Sequence, residues 1–528
     1  MHWNAVVARR AAMVAGEDVP VSIEQINAGF DQMHELLEEA IYDEDEVQAD
    51  EDQQKPRLGV RSPKFYRRFV RFLSLVAGTF YRRIEVVGLE NVPPSGAVIF
   101  AGNHPNALID GLLLASLADR SPIHFLGNAR LWGFPVLSGL LEALGAIPVL
   151  RREEHGGDAD NRGAFARVDD ILVGGGCVAI FPEGISHTDS QLATLKTGTA
   201  RMALYAAAHR GHDVAIVPFG LTYLDRDRFR SQVLLQFAAP IPMDDARLEA
   251  YQRDEVGTVR QLTAELRERI TRVTLSAPDW ATLRFIHAAR RLYKPTAAKL
   301  TPASYVDLSR RFVERYALFA EKPDVQRLRV EIEAYQAELD GLGLKDHQLA
   351  HPVSASNAVR RIVWRTALVI VLFPLALPGA IVLLPVAWLA ATVGSRLSYD
   401  IDDIATLKLV TAVPVLLSTY ALVAIMAGVG LGWVWVAVAL LLVPVSLFAT
   451  MFVLEKQAQL LISMRSLLRL ARLGADIDAL VVRRGELVTT VRTAVDRYAD
   501  PTIRRMFVAR DFSGLEAVPS RPASSKGS

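Results

Sequence analysis

A short polar turn between two apolar runs carries the residue types of an acid–base pair. It reads Gly102-Asn103-His104-Pro105-Asn106 and precedes an apolar stretch that contains Asp110. An imidazole can accept a proton near neutral pH, and a carboxylate on its other nitrogen would hold it in the useful tautomer. Residues six apart do not share a face of a helix, so His104 must lie in the turn if it meets Asp110. A Pro-Asn turn before an aspartate that caps a helix would give the same pattern.

A second polar segment places a glutamate, glycines and a lysine after another apolar run. It begins with Phe181-Pro182-Glu183-Gly184-Ile185-Ser186-His187 and continues to Lys196-Thr197-Gly198. A polar turn that leads into a helix could bind an anion through backbone N–H groups and an ammonium. The alternative is an ordinary loop between a strand and a helix, in which Lys196 is merely solvated.

A third segment, from Gly145 to Arg152, sets Arg151 and Arg152 at the end of an apolar run. Guanidinium groups suit phosphate because they donate two parallel hydrogen bonds in a fixed plane. Surface arginines at strand ends are common, so this segment alone does not decide between a phosphate site and a solvated surface.

These segments alternate with elements that predict an α/β domain over residues 84–245. Five short apolar runs bounded by Gly, Pro or Asn are typical of buried strands; they are 97–101, 146–150, 178–181, 215–219 and 234–237. Helical stretches lie between them, at 107–118, 133–143, 162–173 and 197–209. Alternation of this kind indicates a sheet that is mostly covered by helices.

The segments around this domain differ in character. Residues 1–56 carry a run of carboxylates and are predicted to be an acidic helical or linker segment. Residues 57–83 combine arginines with aromatic residues, which predicts a basic amphipathic helix, either on an anionic bilayer surface or packed on the next domain. Residues 246–359 are helical and charged, and they predict a helical connector without visible chemistry.

Residues 360–454 are predicted to be a membrane region. No charged residue occurs in 366–394 or in 409–454, and each half of the second stretch is long enough to cross a hydrocarbon core of about 30 Å. Arginines flank both stretches, so the positive-inside rule favours an even number of crossings. We therefore expect 409–454 to be a helical hairpin divided by glycines, and 366–394, which contains three prolines, to be re-entrant or shallow; the alternative is three plain crossings. Amphipathic helices at 455–512 and a disordered tail at 513–528 complete the chain.

Composition limits the possible functions. Hydrophobic residues make up 51% of the 528 residues, and the formal net charge is +1, so charge gives no argument for nucleic-acid binding. The single cysteine, Cys177, excludes an internal disulfide framework and fits a reducing compartment. No cluster of His, Cys and carboxylates has the spacing of metal ligands, and no cofactor is expected.

The order and spacing of the polar segments resemble the glycerolipid acyltransferase family, whose four sequence blocks occur here in order. Asn103-His104 through Asp110 resembles the first block, Gly145 to Arg151 the second, Phe181-Pro182-Glu183-Gly184 the third and Val217-Pro218 the fourth. Five residues separate His104 from Asp110, whereas the family pattern has four. The Asn-His-Pro-Asn turn, with Ser186-His187 and the Lys196 segment, is similar to the glycerol-3-phosphate/dihydroxyacetone-phosphate acyltransferase branch.

The resemblance implies an α/β acyltransferase domain followed by the connector, an α-helical membrane region and a helical C-terminal segment. It implies His104 as general base and Asp110 as its orienting partner. The substrate-binding candidates are Asn103, Arg151, Glu183, Gly184 and Ser186, with Lys196 and Gly198 added from the anion argument.

The implied activity is transfer of an acyl chain from acyl-CoA or acyl carrier protein, as co-substrate, to glycerol 3-phosphate or dihydroxyacetone phosphate. Membrane lipids are the expected surroundings, nucleic acid is not an expected partner, and the oligomeric state stays open. An integral membrane protein with its catalytic domain on the cytoplasmic side is expected. The alternatives are a 1-acylglycerol-3-phosphate or other lysophospholipid acyltransferase, a non-catalytic membrane lipid-binding protein and, as the weakest, a transporter.

Overall fold

A computed structural model of the chain describes the following residues: 62–133, 135–150, 160–210, 214–224, 230–295, 298, 300–350, 355–397, 403–473 and 475–498. The acidic segment 1–56, the arginines Arg151 and Arg152 and the tail 513–528 lie outside the described residues. What the sequence predicts for them stays a prediction. The described residues all belong to one unit, Gly59–Ser528.

The first half of the chain forms an eight-stranded sheet. Its strands are β1 (Arg83–Val87), β2 (Ala97–Gly102), β3 (Ile123–Asn128), β4 (Ile147–Val149), β5 (Cys177–Ile180), β6 (Val214–Tyr223), β7 (Gln232–Phe237) and β8 (Ile241–Pro242). Their order is β1-β7-β6-β2-β5-β3-β4, with β8 paired to β6. Neighbouring strands are parallel, except that β6 is antiparallel to β7 and to β8. The α/β prediction is confirmed, although β1, β3 and β8 were not predicted.

Helices cover both faces of this sheet. They are α1 (Pro63–Phe80), α2 (Ala107–Leu117), α3 (Pro135–Ala143), α4 (Arg162–Val173), α5 (Gly198–Arg210), α6 (Asp245–Arg253) and α7 (Glu255–Val273). Neighbouring side chains of β2 enter opposite cores: Ile99 packs with α4, α5 and α7, whereas Phe100 packs with α1 and α2. Because both faces are covered, β2 is buried along its whole length and reads as an apolar run.

Helix α1 is packed on the domain, as one of its two interpretations expected. Tyr66 is buried, and its hydroxyl accepts from the N–H of Ile123 at 2.9 Å. Ala77 is also buried and joins the core beneath α2. The basic residues of the helix remain exposed, so packing leaves a basic face free; they are Lys64, Arg67, Arg68 and Arg71.

A second core is formed by the connector and the last described helix. The helices are α8 (Trp280–Tyr293), α9 (Pro302–Phe319), α10 (Pro323–Leu342), α11 (Asp346–Ala350) and, much later in the chain, α15 (Ala475–Tyr498). Leu480, Leu487 and Val491 of α15 are buried against the connector helices. A buried ion pair ties the two parts: Arg484 Nε donates to Asp346 Oδ1 at 2.9 Å, and the Tyr335 hydroxyl donates to the same oxygen at 3.0 Å.

Along the chain, three further helices separate the connector from α15. They are α12 (Ala355–Leu397), α13 (Asp403–Leu431) and α14 (Trp433–Leu473). Each contains a stretch long and apolar enough to cross a membrane, at Ile362–Val393, Thr411–Leu431 and Trp433–Gln457. Large apolar side chains such as Trp388 and Trp433 are exposed on them, and such a surface needs lipid around it.

The expected re-entrant turn in 366–394 is wrong, because the segment lies within one uninterrupted helix that contains Pro374, Pro378 and Pro385. The neighbouring helix α14 supplies the missing hydrogen bonds. Ser446 accepts from the N–H of Gly379 at 2.6 Å and donates to the carbonyl of Leu375 at 2.7 Å, which bridges one turn of α12. Prolines are tolerated in apolar helices where neighbours satisfy the freed backbone groups in this way.

Helix α15 packs on the connector that precedes α12, so the segments before and after the apolar helices are in contact. Helices α13 and α14 are divided at Gly432, which has a left-handed φ of 98°, and the Tyr420 hydroxyl donates to the carbonyl of Leu440 at 2.6 Å. The stretch 409–454 thus folds back on itself, as the glycines predicted.

One edge of the sheet is anchored to the end of the apolar stretch of α14. Glu455 forms ion pairs of 3.6 Å with Arg82, which precedes the edge strand β1, and with Arg230, which precedes its neighbour β7. Because β7 is antiparallel to β6 and Tyr223 pairs with Val233, this is the edge at which β6 and its parallel neighbour β2 end. Helix α2 also contacts α13. The carboxyl edge of the sheet therefore faces the apolar helices.

Arg484→Ala should lower the thermal unfolding midpoint in detergent, because Asp346 would stay buried without its cation. We expect a loss of about 3 kcal/mol in unfolding free energy. The neighbouring Arg483→Ala is the matched control: Arg483 pairs with Glu338 at the surface, where such a pair contributes less than about 1 kcal/mol. Equal decreases in the thermal midpoint of the two variants would show that the Arg484–Asp346 ion pair contributes no more to stability than the surface pair.

Gly379→Ala should loosen the contact between α12 and α14. A Cβ at this position would lie 2.4 Å from the backbone oxygen of Ser446, so the helices must separate. Overpacking of this kind costs about 1–3 kcal/mol. Gly430→Ala on α13 is the control, since its Cβ would meet nothing within 4 Å. The measurement is thermal aggregation in detergent, and an unshifted Gly379 variant would show that the close approach is absent.

Candidate active site

The turn between β2 and α2 places His104 at the carboxyl edge of the sheet. Strand β2 ends at Gly102 and α2 begins at Ala107, so His104 lies in the turn, where the sequence required it. Asn103 fixes this turn to β6: its Oδ1 accepts from the N–H of Leu221 at 2.7 Å, and its Nδ2 donates to the Leu221 carbonyl at 3.0 Å. Its side chain serves the turn here, and substrate binding by Asn103 stays a prediction.

His104 and Asp110 form a hydrogen-bonded pair. Nδ1 of His104 lies 2.9 Å from Oδ2 of Asp110, whose side chain is fully buried. An ionised carboxylate only accepts, so Nδ1 carries the proton of the neutral ring and Nε2 is left as the basic nitrogen. The imidazole keeps 18% of its surface exposed.

The extra residue between His104 and Asp110 is taken up at the start of α2. Ala107 has a left-handed φ of 42°, which a residue with a Cβ adopts at a cost of about 1–2 kcal/mol. The carboxylate of Asp110 reaches back over this turn and accepts from the N–H of Asn106 at 2.7 Å. The five-residue spacing is therefore compatible with the pair, and the N-cap alternative is partly realised as well, because Asp110 also holds the helix start.

Phe181 and Glu183 hold the other sides of His104. The Phe181 ring is stacked on the imidazole, with centroids 3.9 Å apart and an interplanar angle of 10°. Glu183 is buried; its Oε1 accepts from the backbone N–H of His104 at 2.9 Å, and its Oε2 accepts from that of Ala193 at 2.7 Å. Oε2 also accepts from Nε2 of His187. Glu183 thus joins the His104 turn to the 181–196 loop.

The remaining predicted residues lie along this loop. Gly184 has a left-handed φ of 74°, and a Cβ there would lie 2.8 Å from Cε of Lys196. The backbone N–H of Lys196 donates to the carbonyl of Pro182 at 2.7 Å, while its side chain is exposed. Gly198 begins α5, and Ser186 is half-buried. The structure thus brings Lys196 beside Gly184, in the loop that Glu183 ties to His104. Arg151 lies outside the described residues.

Sequence reasoning missed Tyr223, whose hydroxyl donates to Oδ1 of Asp110 at 2.6 Å. The predicted strand ended at 219, four residues short of it, and no local pattern distinguishes this tyrosine from a core residue. His187 belongs to the 181–187 motif, but no role was predicted for it. Within the described ranges no group of three or more His, Cys, Asp or Glu could hold a metal ion.

Two family models match different parts of the chain. One, described as Acyltransferase, matches residues 83–222, which include the sheet's central strands and the His104 turn. The other, described as Glycerol-3-phosphate acyltransferase 2 C-terminal domain, matches residues 285–503, from α8 to α15. The first model thus covers most of the α/β domain, and the second covers the helical region with its three apolar helices.

The chain is similar over part of its length to glycerolipid acyltransferases. It is 34% identical over 286 residues to Glycerol-3-phosphate O-acyltransferase 2 of Saccharomyces cerevisiae, covering 51% of this chain and 38% of that protein. It is 31% identical over 242 residues to Glycerol-3-phosphate O-acyltransferase 1 of the same yeast, covering 45% of this chain and 32% of that protein. The matches thus span less than half the length of these relatives.

Among solved structures, the chain is similar to the crystal structure of the 1-acyl-sn-glycerophosphate (LPA) acyltransferase from Thermotoga maritima. The two are 19% identical, with coverage of 39% of this chain and 84% of that chain and a TM-score of 0.27.

Glu183→Gln should destabilise the joined loops. Either orientation of the amide sets its NH₂ group against a backbone N–H, of His104 or of Ala193, so one buried donor loses its acceptor. An unsatisfied buried donor costs about 1–3 kcal/mol. The control is Asp189→Asn in the same loop, because the Asp189 side chain is 78% exposed. Thermal unfolding in detergent and limited proteolysis of the 181–196 loop would measure the effect; equal stability of the two variants would show that Glu183 is not a structural tie.

Proposed function

We propose that this protein is a membrane-bound O-acyltransferase. It moves a fatty acyl chain from acyl-CoA or acyl carrier protein to a hydroxyl of glycerol 3-phosphate or dihydroxyacetone phosphate, a step in phosphatidate and phospholipid biosynthesis. The observation that carries the proposal is the His104–Asp110 pair, which leaves a basic Nε2 at the open edge of the sheet. The matches to the two family models and the similarity to the two yeast proteins support the acceptor class.

His104 acts as general base in this reaction. Nε2 takes the proton of the acceptor hydroxyl while that oxygen attacks the thioester carbonyl, and Asp110 stabilises the imidazolium that forms. The tetrahedral intermediate then expels the thiolate, which takes up the proton from His104, so an ester and a free thiol leave the site. A positioned base contributes about 10²–10⁴-fold, and holding the two substrates together supplies much of the remaining rate.

The acceptor phosphate is assigned to the cationic side of the site. Lys196 supports this assignment, because its exposed ammonium stands over Gly184, in the loop that Glu183 ties to His104. The absence of a side chain at Gly184 leaves room for that approach. Arg151, which follows β4, is assigned to the same phosphate from its motif. Ser186 and Gly198 complete the proposed binding residues along the 181–198 loop.

The membrane arrangement suits a substrate with an acyl tail. Helix α2, which follows His104, contacts α13, and the carboxyl edge of the sheet is paired to Glu455. We assign the catalytic domain to the cytoplasmic side, because Arg360, Arg361 and Arg365 precede the first apolar stretch.

The test is acyl transfer by purified protein in detergent or in liposomes, with products identified by mass. Glycerol 3-phosphate, dihydroxyacetone phosphate and lysophosphatidate are offered in turn, each with acyl-CoA and with acyl carrier protein. His104→Ala should lower kcat by at least about 10²-fold in protein that remains folded at the assay temperature. His347→Ala, an exposed histidine of α11, serves as the control and should keep full activity.

Unchanged turnover in His104→Ala would remove the proposed base. Turnover of lysophosphatidate alone would replace the proposed acceptor. Binding of lipid without turnover of any acceptor would replace the enzyme with a lipid-binding protein.

A further inference from the structure

The two oxygens of the Asp110 carboxylate have different partners. Oδ2 faces His104 and the backbone N–H of Asn106, at 2.9 and 2.7 Å. Oδ1 accepts from the phenol of Tyr223 at 2.6 Å. Asp110 is fully buried and Tyr223 nearly so, so neither oxygen gains much from water. Buried carboxylates depend on such donors for their stability, and their orientation is set by where the donors stand.

Tyr223 is held more firmly than an ordinary side-chain partner. It is the last residue of β6 and pairs with Val233 of β7, so its backbone belongs to the sheet, whereas Asp110 belongs to α2. Its ring packs against that of Tyr81, with centroids 5.8 Å apart, in the core under α2. The phenol therefore fixes the carboxylate of a helix relative to the sheet.

Tyr81 offers a natural comparison, because it is a second buried tyrosine beside the same carboxylate. Burial raises the pKa of Tyr81, and the nearby Asp110 charge raises the pKa further. Its hydroxyl lies near Tyr223 and Asn106. Of the two neighbouring phenols, Tyr223 alone donates to Asp110 in the described part of the chain.

We propose that Tyr223 is a positioning residue of the acyl-transfer reaction: its phenol orients Asp110 and thereby holds His104 in the tautomer and direction that catalysis needs. This inference rests on the proposed function of His104. The phenol has a second effect, because its hydrogen bond draws charge from the carboxylate and limits the pull of Asp110 on an imidazolium. Both effects reach the reaction through Asp110, and the phenol itself touches no substrate.

Removal of the phenol hydroxyl should therefore change the protonation of His104 in a defined direction. Without the donor, more negative charge remains on Asp110, the imidazolium is stabilised, and His104 stays protonated to higher pH. The titratable groups that face Asp110 within the described ranges are His104 from the turn, Tyr223 from β6 and Tyr81 from the segment after α1. Glu183, from the 181–196 loop, meets His104 through its backbone N–H.

The experiment compares Tyr223→Phe with Tyr81→Phe, two isosteric changes in touching rings. For Tyr223→Phe we expect kcat to fall about tenfold with unchanged KM for both substrates, the lower end of the loss seen when partners behind metal-ligating histidines are removed. The acidic limb of the pH–rate profile should move upward, because the carboxylate behind the imidazole keeps more of its negative charge. Tyr81→Phe should keep the wild-type kcat and the wild-type profile.

A second measurement needs no substrate. Diethyl pyrocarbonate acylates the unprotonated imidazole, so the pH dependence of His104 modification, followed by peptide mass, reports its protonation directly. The midpoint should move upward in Tyr223→Phe and stay in place in Tyr81→Phe. This measurement separates the proposed function from the proposed role of Tyr223. If the wild-type protein shows no acyl transfer, the proposed function is wrong, but the pH midpoint of His104 modification still tests whether Tyr223 acts on His104 through Asp110.

Two results would overturn the inference. One is a Tyr223→Phe variant with the wild-type kcat and the wild-type modification midpoint. The other is an equal loss of activity in both phenylalanine variants that follows a lowered thermal midpoint, since this would make Tyr223 a packing residue.

Discussion

The Asp110 carboxylate has no access to water, and the site is built around its demand for donors. Three groups donate hydrogen bonds to this carboxylate. The His104 imidazole and the Asn106 backbone N–H come from the turn, and the Tyr223 phenol comes from the sheet. A buried charge without such partners would cost several kcal/mol. The same hydrogen bonds that stabilise the fold here therefore also fix the direction of the imidazole. Stability and proton chemistry share one set of contacts.

A second buried carboxylate, that of Glu183, holds His104 by its backbone N–H. Asp110 acts on the ring, whereas Glu183 holds the backbone N–H and connects it to the loop that carries Lys196. The stacked Phe181 closes one face of the imidazole. The histidine is thus held by its ring nitrogen, its ring face and its backbone, and Nε2 remains for the substrate. Glycine at 184 is needed twice, because its backbone is left-handed and the Lys196 side chain occupies the space of a Cβ.

Much of this arrangement could be read from the sequence. Strands buried on both faces have continuous apolar sequences, so β2, β5 and β6 could be predicted from short apolar runs. The turn after β2 could be predicted because His104 and Asp110, six positions apart, cannot share a face of one helix. Strands with mixed faces, such as β3 with His124 and Asn128, gave no such run. Tyr223 meets Asp110 across 113 positions of sequence, and only tertiary structure brings them together. The uninterrupted α12 was missed for the same reason: its prolines are compensated by Ser446 on another helix.

The ion pairs of Glu455 with Arg82 and Arg230 attach the sheet to α14 at the edge where His104 lies. On the proposed function, a reaction centre at this level takes its acyl donor and glycerol phosphate from the solution next to the bilayer. The acylated product carries an apolar tail, so it would leave directly into the membrane and diffuse there in two dimensions.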